Sequence, residues 1–131
     1  MDVLLPIRPK YVVLIFSGIK KYEFRKIIPK DDFSRIYIYA TNPAKQIVGF
    51  FEPGEIINKD INSLWKACEK YSGLSYHEFI KYFDGHQSGY AIPINSFHKW
   101  SRPVDPRSVI RNFHAPQSFQ YIDRNIFKIV R

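Results

Sequence analysis

Between Gly18 and Arg25 the chain reads Gly-Ile-Lys-Lys-Tyr-Glu-Phe-Arg, which sets Lys20, Lys21 and Arg25 around the single carboxylate of Glu23. Such a group can do three kinds of chemistry. Its charges can pair with one another on a solvated strand, where pairing contributes little. Its cations can hold phosphate while Glu23 orients an arginine or a base. Or burial can depress the pKa of a lysine until it serves as a base or nucleophile. Residue types alone leave all three open.

Two further groups could join it. Arg8 and Lys10 flank Pro9, which suits the first turn of a helix, and the free N–H groups of a helix start attract anions. Gln117-Ser118-Phe119 sets an amide and a hydroxyl beside a ring, able to read and stack a base or simply to pack a loop. His77, His86, His98 and His114 form no zinc-site spacing with each other or with Cys68, the one cysteine. No phosphate-binding glycine loop, dinucleotide fingerprint or Gly-x-Ser-x-Gly elbow occurs. No metal and no cofactor is expected.

These residues need a scaffold, and the apolar pattern outlines one. Val3-Leu4-Leu5-Pro6-Ile7 predicts a short strand, with Pro6 marking an edge or an end. Tyr11, Val12, Leu14, Ile15 and Phe16 recur at helical spacing from Pro9 through Ser17, and Gly18 is placed to stop that helix. Lys21 to Arg25 alternates, with Lys21, Glu23 and Arg25 on one face and Tyr22 and Phe24 on the other. On that count Lys20 lies on the second face or in the turn. Arg35 to Ala40 predicts a strand ended by Thr41-Asn42-Pro43. Residues 45–59 read as one long strand bent at Gly49, Pro53 and Gly54. Residues 60–83 read as two helices. The first is capped by Asp60 or Asn62 and ends at Gly73; the second opens on a Ser75–Glu78 capping box and closes at Gly85. Strand returns at Gly89–Ile94 and runs on to Trp100. One helical turn is expected over 108–113, a second over 115–122, and a last strand over Asn125–Val130. Strands on both sides of a helical insertion make the class α+β, a small mixed or antiparallel β-barrel with flanking helices.

Length and composition agree with that scale. A chain of 131 residues, 45% hydrophobic and 17% aromatic, can bury a core as one domain spanning 1–131. The excess of 20 bases over 12 acids gives +8. It is concentrated in two stretches. Residues 8–30 carry Arg8, Lys10, Lys20, Lys21, Arg25, Lys26 and Lys30 against Glu23 alone, and residues 99–131 carry seven bases against Asp105 and Asp123. If the two stretches meet they make a face that draws in phosphates, which points to a polyanion partner. A lone cysteine in a helical-looking segment reads as a buried, inert thiol and favours a reducing compartment. With no signal peptide and no apolar run near membrane-spanning length, the expectation is a cytoplasmic protein without a membrane partner.

Leu4-Leu5-Pro6-Ile7-Arg8-Pro9-Lys10-Tyr11, an apolar helix, and then Gly18-x-Lys20-x-x-Glu23-x-Arg25 resemble the ASCH domain family, part of the PUA-like superfamily. The end of the next strand at Tyr39-Ala40-Thr41, the bent stretch from Val48 to Glu55 and the strand Gly89-Tyr90-Ala91-Ile92 fit it as well. The resemblance implies a PUA-like barrel with a cleft lined by the signature. It also selects Lys20 over Lys21. It implies RNA, a nucleotide or a modified nucleobase as partner, in settings of translation or transcription control. Taken with the residue reading, it gives a candidate binding set of Arg8, Lys10, Lys20, Lys21, Glu23, Arg25, Tyr39, Thr41, Gln117 and Ser118. One branch of the family is similar to amidohydrolases acting on N4-acetylcytidine. Of that branch's lysine, threonine and glutamate only the lysine is matched, with Glu23 in the threonine's place and Ser72 near the glutamate's. A ribonuclease role is proposed for some members, so the alternative to a binding module is a small hydrolase acting on a modified nucleoside or RNA, with Lys20 and Glu23 as its catalytic pair.

Overall fold

Strand alternation sorts the apolar residues into opposite layers. In β1 (Asp2–Ile7) Val3, Leu5 and Ile7 face one side and Leu4 the other; in β3 (Ile36–Ala40) Ile36, Ile38 and Ala40 part from Tyr37 and Tyr39 in the same way. The computed structural model describes residues 1–128. Helix α1 (Pro9–Phe16) follows β1 and lays Val12 and Ile15 on the first layer, where Phe51 and Ile92 complete a core. The second layer packs Leu4, Tyr37, Tyr39 and Ile47 against Val104, Ile122 and Phe127.

The remaining strands are β2 (Tyr22–Arg25), β4 (Gln46–Pro53), β5 (Ile57–Asp60), β6 (Ser88–Val104) and β7 (Gln120–Ile122). The sheet order is β2-β6-β4-β3-β1-β7, with β5 also paired to β6. β1 and β3 run parallel and every other pairing is antiparallel. The result is a curled mixed sheet, a half-barrel flanked by helices, in the expected α+β class. β6 joins its parts, because its first residues pair with β2 and β5 and its later ones with β4. The β4 register shifts at Gly49, where a β-carbon would stand 2.2 Å from the His98 carbonyl oxygen. No side chain fits so close to a neighbouring backbone.

Helix α2 (Ile61–Cys68) is capped by Asp60, whose carboxylate accepts from the Ser63 amide. A 3₁₀ turn over Glu69–Tyr71 leads to helix α3 (Tyr76–Tyr82), which opens on the reciprocal Ser75–Glu78 capping box. The two helices bury Leu64, Cys68, Phe79 and Phe83 against Phe24 and Ala91. Burial pushes the Cys68 thiol up to about 11, so it is inert at neutral pH. Among the described residues no helix is long and apolar enough to cross a membrane.

Four local expectations change. The helical turn expected over 108–113 falls earlier, as a 3₁₀ turn over Pro106–Ser108, because Asp105 caps it by accepting from the Arg107 amide. Residues 45–59 divide into β4 and β5, because the chain turns at Pro53-Gly54 and β5 crosses to the other end of β6. The second helical turn expected over 115–122 gives way to β7, which closes on β1 through Asp2, Val3 and Leu4. Arg124–Phe127 is a 3₁₀ turn capped by Asp123, where a last strand was expected; β7 already fills the place beside β1, and the turn buries Phe127 against Tyr37. Residues 129–130 of that expected strand lie outside the described residues.

The core under α3 yields a direct test. Phe79 is fully buried, with ring centroids of Trp65, Phe83 and Phe24 at 4.8, 5.0 and 5.2 Å. Phe79→Ala lowers the unfolding free energy by about 3–5 kcal/mol in denaturant titration. Val13→Ala, on the exposed side of α1, changes it by less than about 0.5 kcal/mol.

Candidate functional site

The turn after α1 decides where Lys20 points. Gly18 takes φ +80°, and the amides of both Ile19 and Lys20 donate to the Leu14 carbonyl at 3.0 Å. The chain thus wraps the helix end before β2 begins, and the Lys20 side chain turns inward, 2% exposed. Its Nζ donates to the Ser72 carbonyl at 2.6 Å and stands 5.0 Å from the Phe24 ring centroid and 5.2 Å from that of Tyr11. Desolvation is the largest influence on its pKa and lowers it; the charge of Glu23 opposes the shift and that of Arg25 adds to it. Lys21 goes the other way. It is exposed, with its ammonium 4.4 Å above the Tyr71 ring.

Glu23 and Arg25 share a face of β2 and pair at 2.9 Å, largely out of solvent. The same guanidinium donates to the Pro6 carbonyl at 2.5 Å and to the Ser118 carbonyl at 3.2 Å. Arg25 is therefore occupied by the protein, binding β1, β2 and the 115–119 segment together. Both of its contacts with Glu23 fall on Oε2. No protein donor among the described residues reaches Oε1.

These side chains line a cleft of about 580 Å³ between β1, the start of α1, β2 and α3. Its wall adds Arg8, Tyr11, Lys26, His77, Lys81 and Tyr82. At its mouth Glu78 ties the two helices. One carboxylate oxygen accepts from Lys10 at 2.6 Å and from the Tyr11 hydroxyl at 3.0 Å, and the other accepts from the Ser75 amide at 2.9 Å. The bond from Lys10 does most to hold the Glu78 carboxyl down at about 2. With Glu23 paired to Arg25 and Glu78 to Lys10, both acids of the wall are neutralised. Arg8, Lys20, Lys26 and Lys81 have no acidic partner among the described residues.

The structure thus brings together Arg8, Lys20, Glu23 and Arg25, with Lys10 at the rim. Ser118 reaches the site through its carbonyl, while Gln117 beside it is exposed. Thr41 follows β3 and donates its amide to the Ile7 carbonyl at 3.0 Å. Tyr39 lies in the second layer, its ring 5.3 Å from that of Phe113, because strand parity turns it away from Ile38. The sequence reading missed Tyr11, Lys26, His77, Glu78, Lys81 and Tyr82 as cleft residues. The capping box signalled that Glu78 opens a helix, but its reach to Lys10 spans 68 positions and carries no local signal.

The chain is 34% identical over 125 residues to an ASCH domain-containing ribonuclease of Zymomonas mobilis, covering 92% of this chain and 84% of that protein. The chain belongs to the ASCH domain family. This ASCH domain also superposes on crystal structures of the ASCH protein of Zymomonas mobilis. For one the TM-score is 0.90 at 29% identity over 98% of this chain and 92% of the other. For a serine-to-alanine mutant it is 0.89 at 28% identity over 98% and 93%. The α+β, PUA-like half-barrel is the fold that the signature implied. A large ribosomal subunit protein uL22 of Ureaplasma parvum is 27% identical over 92% of this ASCH domain, which spans 39% of that protein's length. No protein-family model matches the chain.

The Glu78 clasp sets a pH dependence. Its folded pKa is depressed below the ordinary 4.5 to about 2, so its stabilising contribution is complete above that ordinary value and is lost as pH falls toward 2. Glu78→Gln flattens this acidic arm of the stability profile and leaves the slope between pH 5 and 8 unchanged, as thermal melts across pH will read.

Proposed function

We propose that this ASCH domain binds RNA in the cleft floored by Lys20. One observation carries the reading: four cations, Arg8, Lys20, Lys26 and Lys81, surround the cleft with no acidic partner among the described residues. Uncompensated positive charge around a cavity of nucleotide scale attracts phosphates and concentrates them there. Tyr11 and Tyr82 offer rings against which a base can lie. Glu23 Oε1 is the acceptor for a base N–H. Arg25, held by three partners, acts by fixing Glu23. A single or modified nucleotide seated in the same cleft is the finer form of this reading. The names of two relatives point the same way, one a ribonuclease and the other a ribosomal protein.

A second reading, RNA cleavage, is favoured by the ribonuclease name of the 34% identical relative. In that case Lys20, lowered in pKa by burial, and Glu23 are the acid–base candidates. Incubation of labelled RNA separates the two readings. Fragments that vanish with Lys20→Met but persist with Lys21→Met favour cleavage; RNA that is bound and stays intact leaves binding as the function.

Binding of a fluorescent single-stranded RNA should weaken with salt, by about 0.7 in log–log slope for each phosphate neutralised. Lys81→Gln reduces that slope by about one such step. A bound anion raises the pKa of Lys20, so affinity is full below its free pKa and declines as pH rises through it. That decline sets in below the usual lysine range, because burial has lowered the free value. No binding by anisotropy at low ionic strength would remove the reading.

A further inference from the structure

We infer that the Ser72–Gly73 turn is the positioning element for Lys20, and that position 73 is glycine so that the Lys20 ammonium can reach the floor of the cleft. Two backbone carbonyls in a row serve the preceding segment: Tyr71 accepts from the Lys21 amide at 2.8 Å and Ser72 from Lys20 Nζ at 2.6 Å. The Ser72 hydroxyl braces this turn from within. It accepts from the Leu74 amide at 3.1 Å and lies 3.0 Å from the Glu69 carbonyl and 3.1 Å from that of Leu74, either of which can take its proton. Ser72 is fully buried, so the brace is shielded from water.

Gly73 completes the device. It has φ +71°, and a β-carbon built there would stand 2.9 to 3.0 Å from Cβ, Cγ and Cδ of Lys20. The Lys20 stem therefore lies directly on the bare face of Gly73. A side chain at 73 must move the lysine, because the β-carbon meets the stem along its length and not only at its flexible tip.

The anchor is a neutral carbonyl, while the nearby carboxylate of Glu23 is engaged by Arg25. Among the described residues no carboxylate pairs with the ammonium directly. Such a group recognises an anionic oxygen on the ligand, and the two N–H bonds that Ser72 leaves unused can point to it.

The test separates displacement of Lys20 from backbone strain. Gly73→Ala adds both a β-carbon and the cost of φ > 0, whereas Gly73→Asn adds the β-carbon with a residue that tolerates φ > 0. Gly85→Ala is the converse control: φ is +82°, yet nothing lies within 4 Å of its β-carbon position. Two quantities are read for each variant: the titration of the Lys20 side-chain amine by NMR on isotopically labelled lysine, and affinity for a single-stranded RNA. Both Gly73 variants should move the Lys20 titration up toward the ordinary lysine range and weaken RNA binding at least fivefold, while Gly85→Ala does neither. If Gly73→Ala does not fold, Gly73→Asn carries the test. An unchanged Lys20 titration in the folded Gly73 variants, or an equal shift in Gly85→Ala, overturns the inference. The inference rests on the RNA reading only for the affinity measurement. If the unmodified protein binds no RNA, that reading falls while the titration still decides the role of the turn.

Discussion

One guanidinium holds the molecule at the point where its fold and its cleft meet. Strand β7 covers β1 only as far as Leu4, and at Pro6, beyond that cover, the carbonyl takes its donor from Arg25. The same side chain pairs with Glu23 on β2 and reaches the carbonyl of Ser118. Segments near positions 6, 23 and 118 are thereby joined through one planar group, whose fixed fork of donors suits several acceptors at once. A lysine could satisfy the charge of Glu23 but not this geometry. Loss of Arg25 would leave a shielded carboxylate without its partner, which is far more costly than loss of an exposed pair.

Charge around the cleft follows from that arrangement. Arg25 neutralises one acid and Lys10 the other, and both pairs also serve to join elements. The cations that remain have no acidic partner among the described residues. Exposed cations are common on any basic protein. Here they surround a concavity whose floor is a lysine shielded from water by Tyr11, Phe24 and the 71–73 turn. In such a setting the attraction for an anion is screened less than on an open surface.

Much of this was legible in the sequence where the signal was local. A short apolar run gave β1, alternation gave β2 and β3, Gly18 gave the end of α1, and Ser75 with Glu78 gave the start of α3. The Gly18-to-Arg25 run marked the segment that lines the cleft, and the family resemblance chose Lys20 over Lys21. Strand β2 begins only at Tyr22, so alternation said little about a residue in the preceding turn. Tyr39 shows the opposite difficulty. It stood in the candidate binding set, but parity along β3 commits it to the second layer. The cations of α3 and the Lys10–Glu78 bond depend on how helices far apart in the chain come together, and no spacing along the sequence encodes that. At the C-terminal end, Ile126 and Phe127 read as part of a last strand, but the place beside β1 was already taken by β7.

Strand β6 links the two halves of the structure in a further way. Its 17 residues meet β2 and β5 at one end and β4 at the other. A slip of a strand by one residue turns every side chain to the opposite face. In β6 such a slip would move Ile92 and Ala91 beneath the cleft and His98 and Trp100 on the aromatic side in the same step. The close fit of Gly49 against the His98 carbonyl guards that register from the β4 side. The extra residue of β6 between Ile94 and Ser96, where the β4 register shifts, is a point at which the two ends of the strand could instead be aligned independently.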